Sequence, residues 1–179
     1  MARQTRQRIL DASLMMFNAQ GEPNVTTNHI ADELEISPGN LYYHFRNKDD
    51  IIEQLFAVYE QRMDTALVAP SGRLPGLEDV WLQLHLVFEC IWDYRFLYRD
   101  LVDILSRNRR LRMRFARILK RADEQAHTVM RGLVQAGVMR ASADEVDAAS
   151  TNILVIATFW MNYASARGDK DERASIRDG

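Results

Sequence analysis

The sequence predicts an all-α fold. Apolar residues recur at three- and four-residue intervals, no stretch sustains strand alternation, and glycine and proline mark the breaks, at Gly21 and Pro23 and through "APSGRLPG". A hydrophobic share of 47% beside 27% charged residues belongs to a chain with a real core. Its 179 residues suit one packed core, or a small module on a larger one.

The first helix is expected over 3–20, where Ile9, Leu10, Leu14 and Phe17 share helical spacing; Gly21 and Pro23 end it. Ile30, Ala31 and Leu34 give a short second helix, entered through Thr26 and Thr27, either of which suits its cap. A third starts at Ser37, a good N-cap, with Pro38 at the first helical position, where its missing N–H costs nothing. The fourth is entered at Asn47, followed by Asp49 and Asp50 where negative charge favours a helix start, and it runs to about Leu67. Beyond the loop, helices are expected over 76–94, 96–105, 108–136 and 144–167, and the tail "GDKDERASIRDG" is expected to fray.

The N-terminus lacks the apolar run and cleavage site of a signal peptide, which points to the cytosol. No run approaches the roughly 18 apolar residues of a membrane span. Cys90, the one cysteine, excludes an internal disulfide and reads as a small buried hydrophobe. A net charge of −2 conceals two blocks: 2 basic against 9 acidic residues over 49–94, and 10 against 2 over 95–121.

Two short helices with a tight connection, an amphipathic helix in front and a long one behind, fit a helix-turn-helix unit. In such a unit the second helix enters the major groove and its N-terminal residues reach base edges. Here that helix is "PGNLYYH", too short to need a long apolar face. "TRQRILDASLMMF", Gly21 and "TTNHIADELEISPGNLYYHFRNKDDIIEQLF" resemble the N-terminal domain of the tetracycline-repressor (TetR) family of bacterial transcription regulators, over roughly residues 5–56. One departure is Glu35, where the turn commonly carries glycine; a left-handed backbone there costs on the order of 1 kcal/mol.

The resemblance implies a DNA-binding head over 1–48 and a helical body over 49–179 that dimerises and usually holds a ligand. It implies that Thr27, Asn28, Ser37, Gly39, Asn40, Tyr42, Tyr43, His44 and Lys48 face DNA, while Leu41 and Phe45 pack inward. The chemistry agrees for several. Gly39 lets a duplex approach closely, the tyrosine hydroxyls, Thr27 and Lys48 suit phosphates, and Asn40 or Tyr42 suits base edges. Lys48 adds a separate reason: a cation in a helix's first turn opposes the dipole, and a phosphate in front of it reverses the sign. The alternatives are a solvated Lys48 beside Asp49 and Asp50, and tyrosines and His44 that pack on the head's core. His29 reads as an incidental surface residue.

In the body, Trp81, His85, Phe88 and Trp92 form one helical face, either plain core or the wall of a pocket for a small, mostly apolar effector. Phe159 from the last helix joins that candidate set. The arginine-rich 95–121 segment is either a second nucleic-acid surface or a cover for the acidic helices at 49–94, and the apolar side of the same helices favours the cover. The last helix is apolar over so much of its circumference that it needs a partner. With the end of the preceding helix it forms the expected homodimer interface, about 120–136 and 144–167, which the resemblance casts as a four-helix bundle.

An enzyme is not expected. The chain offers no metal-ligand cluster and no glycine-rich phosphate loop, and His85 and Cys90 are five apart on different faces. No cofactor or metal is expected either. The resemblance implies a repressor, released from its operator by the effector; a helical adaptor using the aromatic stripe would leave "SPGNLYYHF" unexplained.

Overall fold

The structure, a computed structural model, describes residues 2–68 and 72–168. The tail beyond Gly168, expected to fray, and residues 69–71 of the "APSGRLPG" loop lie outside the described residues. Among those described there are nine α-helices and no strand: α1 (Ala2–Gln20), α2 (Thr27–Glu33), α3 (Pro38–His44), α4 (Lys48–Ala66), α5 (Leu77–Asp93), α6 (Arg95–Arg99), α7 (Leu101–Arg107), α8 (Arg109–Gln135) and α9 (Ala143–Arg167). None is long and apolar enough to cross a membrane. The helix expected over 96–105 is two, α6 and α7, with a break at Asp100. A 3-10 turn at Glu22–Asn24, not foreseen, follows the first helix.

At five helix entrances a polar side chain accepts one of the free N–H groups of the first turn. Thr26, Ser37, Asn47, Asn108 and Ser142 accept from the backbone N–H three residues on. Thr26 takes the α2 cap, which leaves the Thr27 hydroxyl for other use. His29 closes that cap from the other side, its Nδ1 accepting the Thr26 N–H at 3.4 Å, so it is a capping residue and not an incidental one. Glu35 stands at φ 54°, the left-handed conformation expected where glycine is common.

The head is α1, α2, α3 and the start of α4. Ile9, Phe17, Ile30, Leu41 and Ile51 are fully buried at its centre. The same apolar cluster continues without a gap through Phe56, Tyr59, Phe96 and Phe115 to Met161 on the last helix. Tyr59 and Tyr98 share a buried hydroxyl–hydroxyl hydrogen bond of 2.6 Å, and burial pushes both phenols well above their ordinary range. Cys90 is 2% exposed, its thiol raised to about 11 by burial, which makes it the inert hydrophobe the composition implied.

Polar groups lock the head to the body. The carboxylate of Glu22, fully buried, pairs with Lys48 at 2.7 Å and with Arg107 at 2.6 Å. Lys48 also donates to the carbonyl oxygens of Glu22 and Val25, both at 3.0 Å, and Asp100 accepts the Glu22 N–H at 3.0 Å. Asn18 on α1 donates to the Asp93 carbonyl at 2.8 Å and accepts the Phe96 N–H at 3.1 Å. Across the body, α8 lies on α4 through a ladder of ion pairs: Arg110 with Glu53, Arg114 with Glu60 and Arg121 with Asp64. The arginine-rich segment therefore covers the acidic helix, as its apolar side suggested.

Two stability losses are expected. Glu22→Ala leaves Lys48 and Arg107 without their shared counter-charge and costs about 2–3 kcal/mol, less than a fully buried pair because both cations keep partial water access. Tyr98→Phe strands the Tyr59 hydroxyl and costs about 1–2 kcal/mol. Urea unfolding checks both; a loss below about 0.5 kcal/mol for either removes its assigned role.

Candidate nucleic-acid interface and ligand cavity

Helix α3 is positioned by its two apolar residues. Leu41 is fully buried and Phe45, just past its end, is 3% exposed, with Arg6 stacked 4.9 Å over the Phe45 ring. Because one face is pinned inward, Gly39, Asn40, Tyr42 and Tyr43 stand outward, Tyr43 at 79% exposure. The alternative that both tyrosines pack on the head's core is thereby excluded. The Tyr42 hydroxyl reaches the Thr27 hydroxyl at 3.0 Å, which ties the start of α2 to the middle of α3. His44 is half-buried, with the Tyr43 ring edge-on at 5.0 Å, and Asn28 and Ser37, at the starts of α2 and α3, are exposed or nearly so.

Gly39 is informative because the fold has no use for it. A Cβ there would meet only the Ser37 Oγ, at 4.0 Å, and its φ is an ordinary helical one. A glycine inside a helix costs about 0.5–1 kcal/mol relative to alanine, so folding alone would not choose it. Close approach of something outside the chain would. Hydroxyls and a carboxamide on one exposed face are donors and acceptors suited to phosphate oxygens and base edges.

Lys48 requires a correction. The helix dipole suggested a phosphate in front of it; the structure supplies the buried Glu22 carboxylate and two carbonyl oxygens instead, and these hold the ammonium. The cause is tertiary: Glu22 lies in a turn between Gly21 and Pro23, where an acid reads as solvent-facing, and only packing against α7 buries it.

The body contains a half-open apolar cavity of about 250 Å³ between α5, α8 and α9, with Leu67 just past the end of α4 on its wall. Leu67, Val87, Ala122, Leu154 and Ala157 join it to a smaller recess of about 50 Å³ that reaches Met63 and Tyr98. Of the residues expected to line a pocket, Phe88 does. Trp81 and His85 do not; they stack on each other 5.4 Å apart at the surface, Trp81 at 68% exposure. Trp92 packs beside the core under Arg95, and Phe159 is 47% exposed on the outer side of α9. The aromatic stripe is real at the sequence level, but the inward face of α5 is centred on Val87, Cys90 and Ile91, with Phe88 and Trp92 at its edge and Trp81 and His85 left outside. Gln83 and Gln125, both on the cavity wall, were not anticipated. The available signal was Gln83 four residues before Val87 in an otherwise apolar run.

Residues 58–179 match the family described as "Bacterial transcriptional repressor", and residues 9–55 match "Bacterial regulatory proteins, tetR family". The uncharacterised HTH-type transcriptional regulator TtgW of Pseudomonas putida is 41% identical over 71 residues, 40% of this chain and 53% of that protein. The matched stretch thus spans about half the length of that relative. The crystal structure of a TetR-family transcriptional regulator from Marinobacter aquaeolei superposes with a TM-score of 0.85 at 42% identity, covering 90% of this chain and 80% of that one. A transcriptional regulator from Saccharomonospora viridis in complex with choline gives a TM-score of 0.74 at 19% identity, over 94% and 88% of the two chains, a likeness of fold alone. With its head and nearly all of its body matched in this way, the chain belongs to the TetR family of DNA-binding transcriptional regulators.

Proposed function

We propose that the protein is a sequence-specific repressor, with a head over 1–48 and a body over 49–179, that binds its operator as a homodimer in the cytosol and is released by a small, mostly apolar effector. The observation that carries the DNA half is the outward face of α3, where Gly39 has no packing use and Asn40, Tyr42 and Tyr43 stand exposed, the Tyr42 hydroxyl held by Thr27. Asn40 and Tyr42 read base edges in this proposal, while Thr27, Asn28, Ser37, Tyr43 and His44 hold phosphates. Lys48 is omitted, since its ammonium is held by Glu22.

Support for the dimer comes from α9. Val155, Ile156, Phe159 and Tyr163 fall on one helical face and are 47–58% exposed. Four large apolar residues in one stripe form a patch of the kind that marks an interface, and the lower half of α8 flanks it. Two linked heads gain avidity that a head with no net positive charge lacks. Support for the effector comes from the cavity, and from the choline complex of a neighbour with the same fold. Helix α4 is the proposed lever: Met63 and Leu67, at and just past its end, wall the cavity and recess, and its first residue grips Glu22 in the head. An effector that prefers one setting of α4 shifts operator affinity by a coupling of typically ~1–3 kcal/mol.

Three outcomes are expected. In fluorescence anisotropy against the DNA flanking the protein's own gene, Asn40→Ala and Tyr42→Ala each lose about 10-fold or more in affinity for the specific duplex. Equal binding to a scrambled duplex at low salt sinks the DNA proposal. Tyr43→Ala, so exposed, changes unfolding free energy by no more than about 0.5 kcal/mol, whereas Leu41→Ala costs about 2–4 kcal/mol. Phe159→Asp with Tyr163→Asp halves the mass in sedimentation equilibrium and removes tight operator binding; an unchanged dimer places the interface elsewhere.

A further inference from the structure

The wall of the body cavity is apolar except at a few points. Gln83 on α5 and Gln125 on α8 both line it, and the amide nitrogen of each is buried with no hydrogen-bond partner in the protein. A buried N–H left without an acceptor costs the full desolvation of the group, and a leucine of similar size at either position would avoid that cost. Both side chains wall the same space from different helices, so a rotation that brings each N–H to an acceptor on a guest would recover what its burial costs.

The lining also says what the guest is not. Among the described residues no Asp, Glu, Lys, Arg or His lines the cavity, so an ion of either sign would enter without a counter-charge and lose its hydration unrepaid. The volume of about 250 Å³ suits a molecule of two small rings.

Building on the proposal that the body holds an effector, we propose that this cavity selects a neutral, largely apolar molecule carrying a hydrogen-bond acceptor, a ketone, ester or ether oxygen, which the amides of Gln83 and Gln125 recognise. The selectivity thus differs from that of the choline-bound neighbour, whose guest is a quaternary ammonium ion.

The test uses matched probes on the full chain by equilibrium dialysis. Benzophenone and diphenylmethane share two rings and differ in the carbonyl oxygen; benzyltrimethylammonium and 2-benzoylbenzoate add a charge of either sign. The affinity of the ketone relative to the hydrocarbon is expected to fall about 5- to 10-fold in Gln83→Leu and in Gln125→Leu, the worth of one neutral hydrogen bond in each. Both substitutions remove an unsatisfied buried group, and melting curves verify folding; each variant tests the proposal alone if the other is misfolded. An unchanged ratio in the folded variants overturns it, as does failure of both neutral probes to bind, or binding of either ion as tightly as the ketone. Release of operator DNA is read separately by anisotropy. Amide-dependent binding without release supports the cavity's selectivity and sinks the effector-release proposal, so the two fail distinguishably.

Discussion

The carboxylate of Glu22 is the constraint on which the arrangement of head and body depends. A fully buried charge is tolerated only with close counter-charges, and here they come from two directions: Lys48 at the start of α4 and Arg107 at the end of α7. The geometry is satisfied in one relative placement of three segments. Sliding α7 or tilting α4 would expose or strand the carboxylate, so this contact specifies orientation more than it adds stability. Asn18, bonded to the backbone on both sides of the α5–α6 junction, repeats the device a turn earlier on α1.

With the seam fixed in this way, α4 becomes a stiff connection between two distant places. Its 19 residues span about 28 Å at the α-helical rise. One end holds the ion cluster that seats the head, and the other ends at the apolar cavity. In between, Tyr59 is anchored to Tyr98 and the α8 arginines grip the acidic outer face. Helix α4 thus meets both the ion cluster that seats the head and the apolar cavity, the connection the proposed switch requires.

The charge pattern serves the same architecture. The acidic block at 49–94 and the basic block at 95–121 look like two surfaces in the linear sequence, yet α8 folds back along α4 and pairs its arginines with Glu53, Glu60 and Asp64. The outward face of α3 is one of hydroxyls and a carboxamide, on a head with no net charge. The proposed recognition therefore rests on geometry and on the proposed pairing of two heads, which fits a net charge of −2.

Local chemistry made most of the fold legible in the sequence. Thr26, Ser37, Asn47 and the apolar spacing marked where helices start and which faces turn inward, because capping and amphipathicity act within one or two turns. The outward face of α3 was legible for the same reason: once Leu41 and Phe45 are pinned, the tyrosines have nowhere else to point. The break at Asp100, the burial of Glu22, the partner of Lys48 and the phase of α5 were not legible, and each was decided by segments far apart in the chain. Lys48 and Glu22 are 26 residues apart and Arg107 is 85 from Glu22; which charge faces which is settled by how α4 and α7 close on α1. The cavity likewise exists only where α5, α8, α9 and the residue after α4 meet, so a glutamine in the apolar run of α5 was the one local mark and Gln125 carried none. The sequence determined the helices and the outward face of α3, since those follow from contacts within a turn or two. The tertiary structure alone decided the seam and the cavity, because desolvation of a charge or an amide depends on everything packed around it.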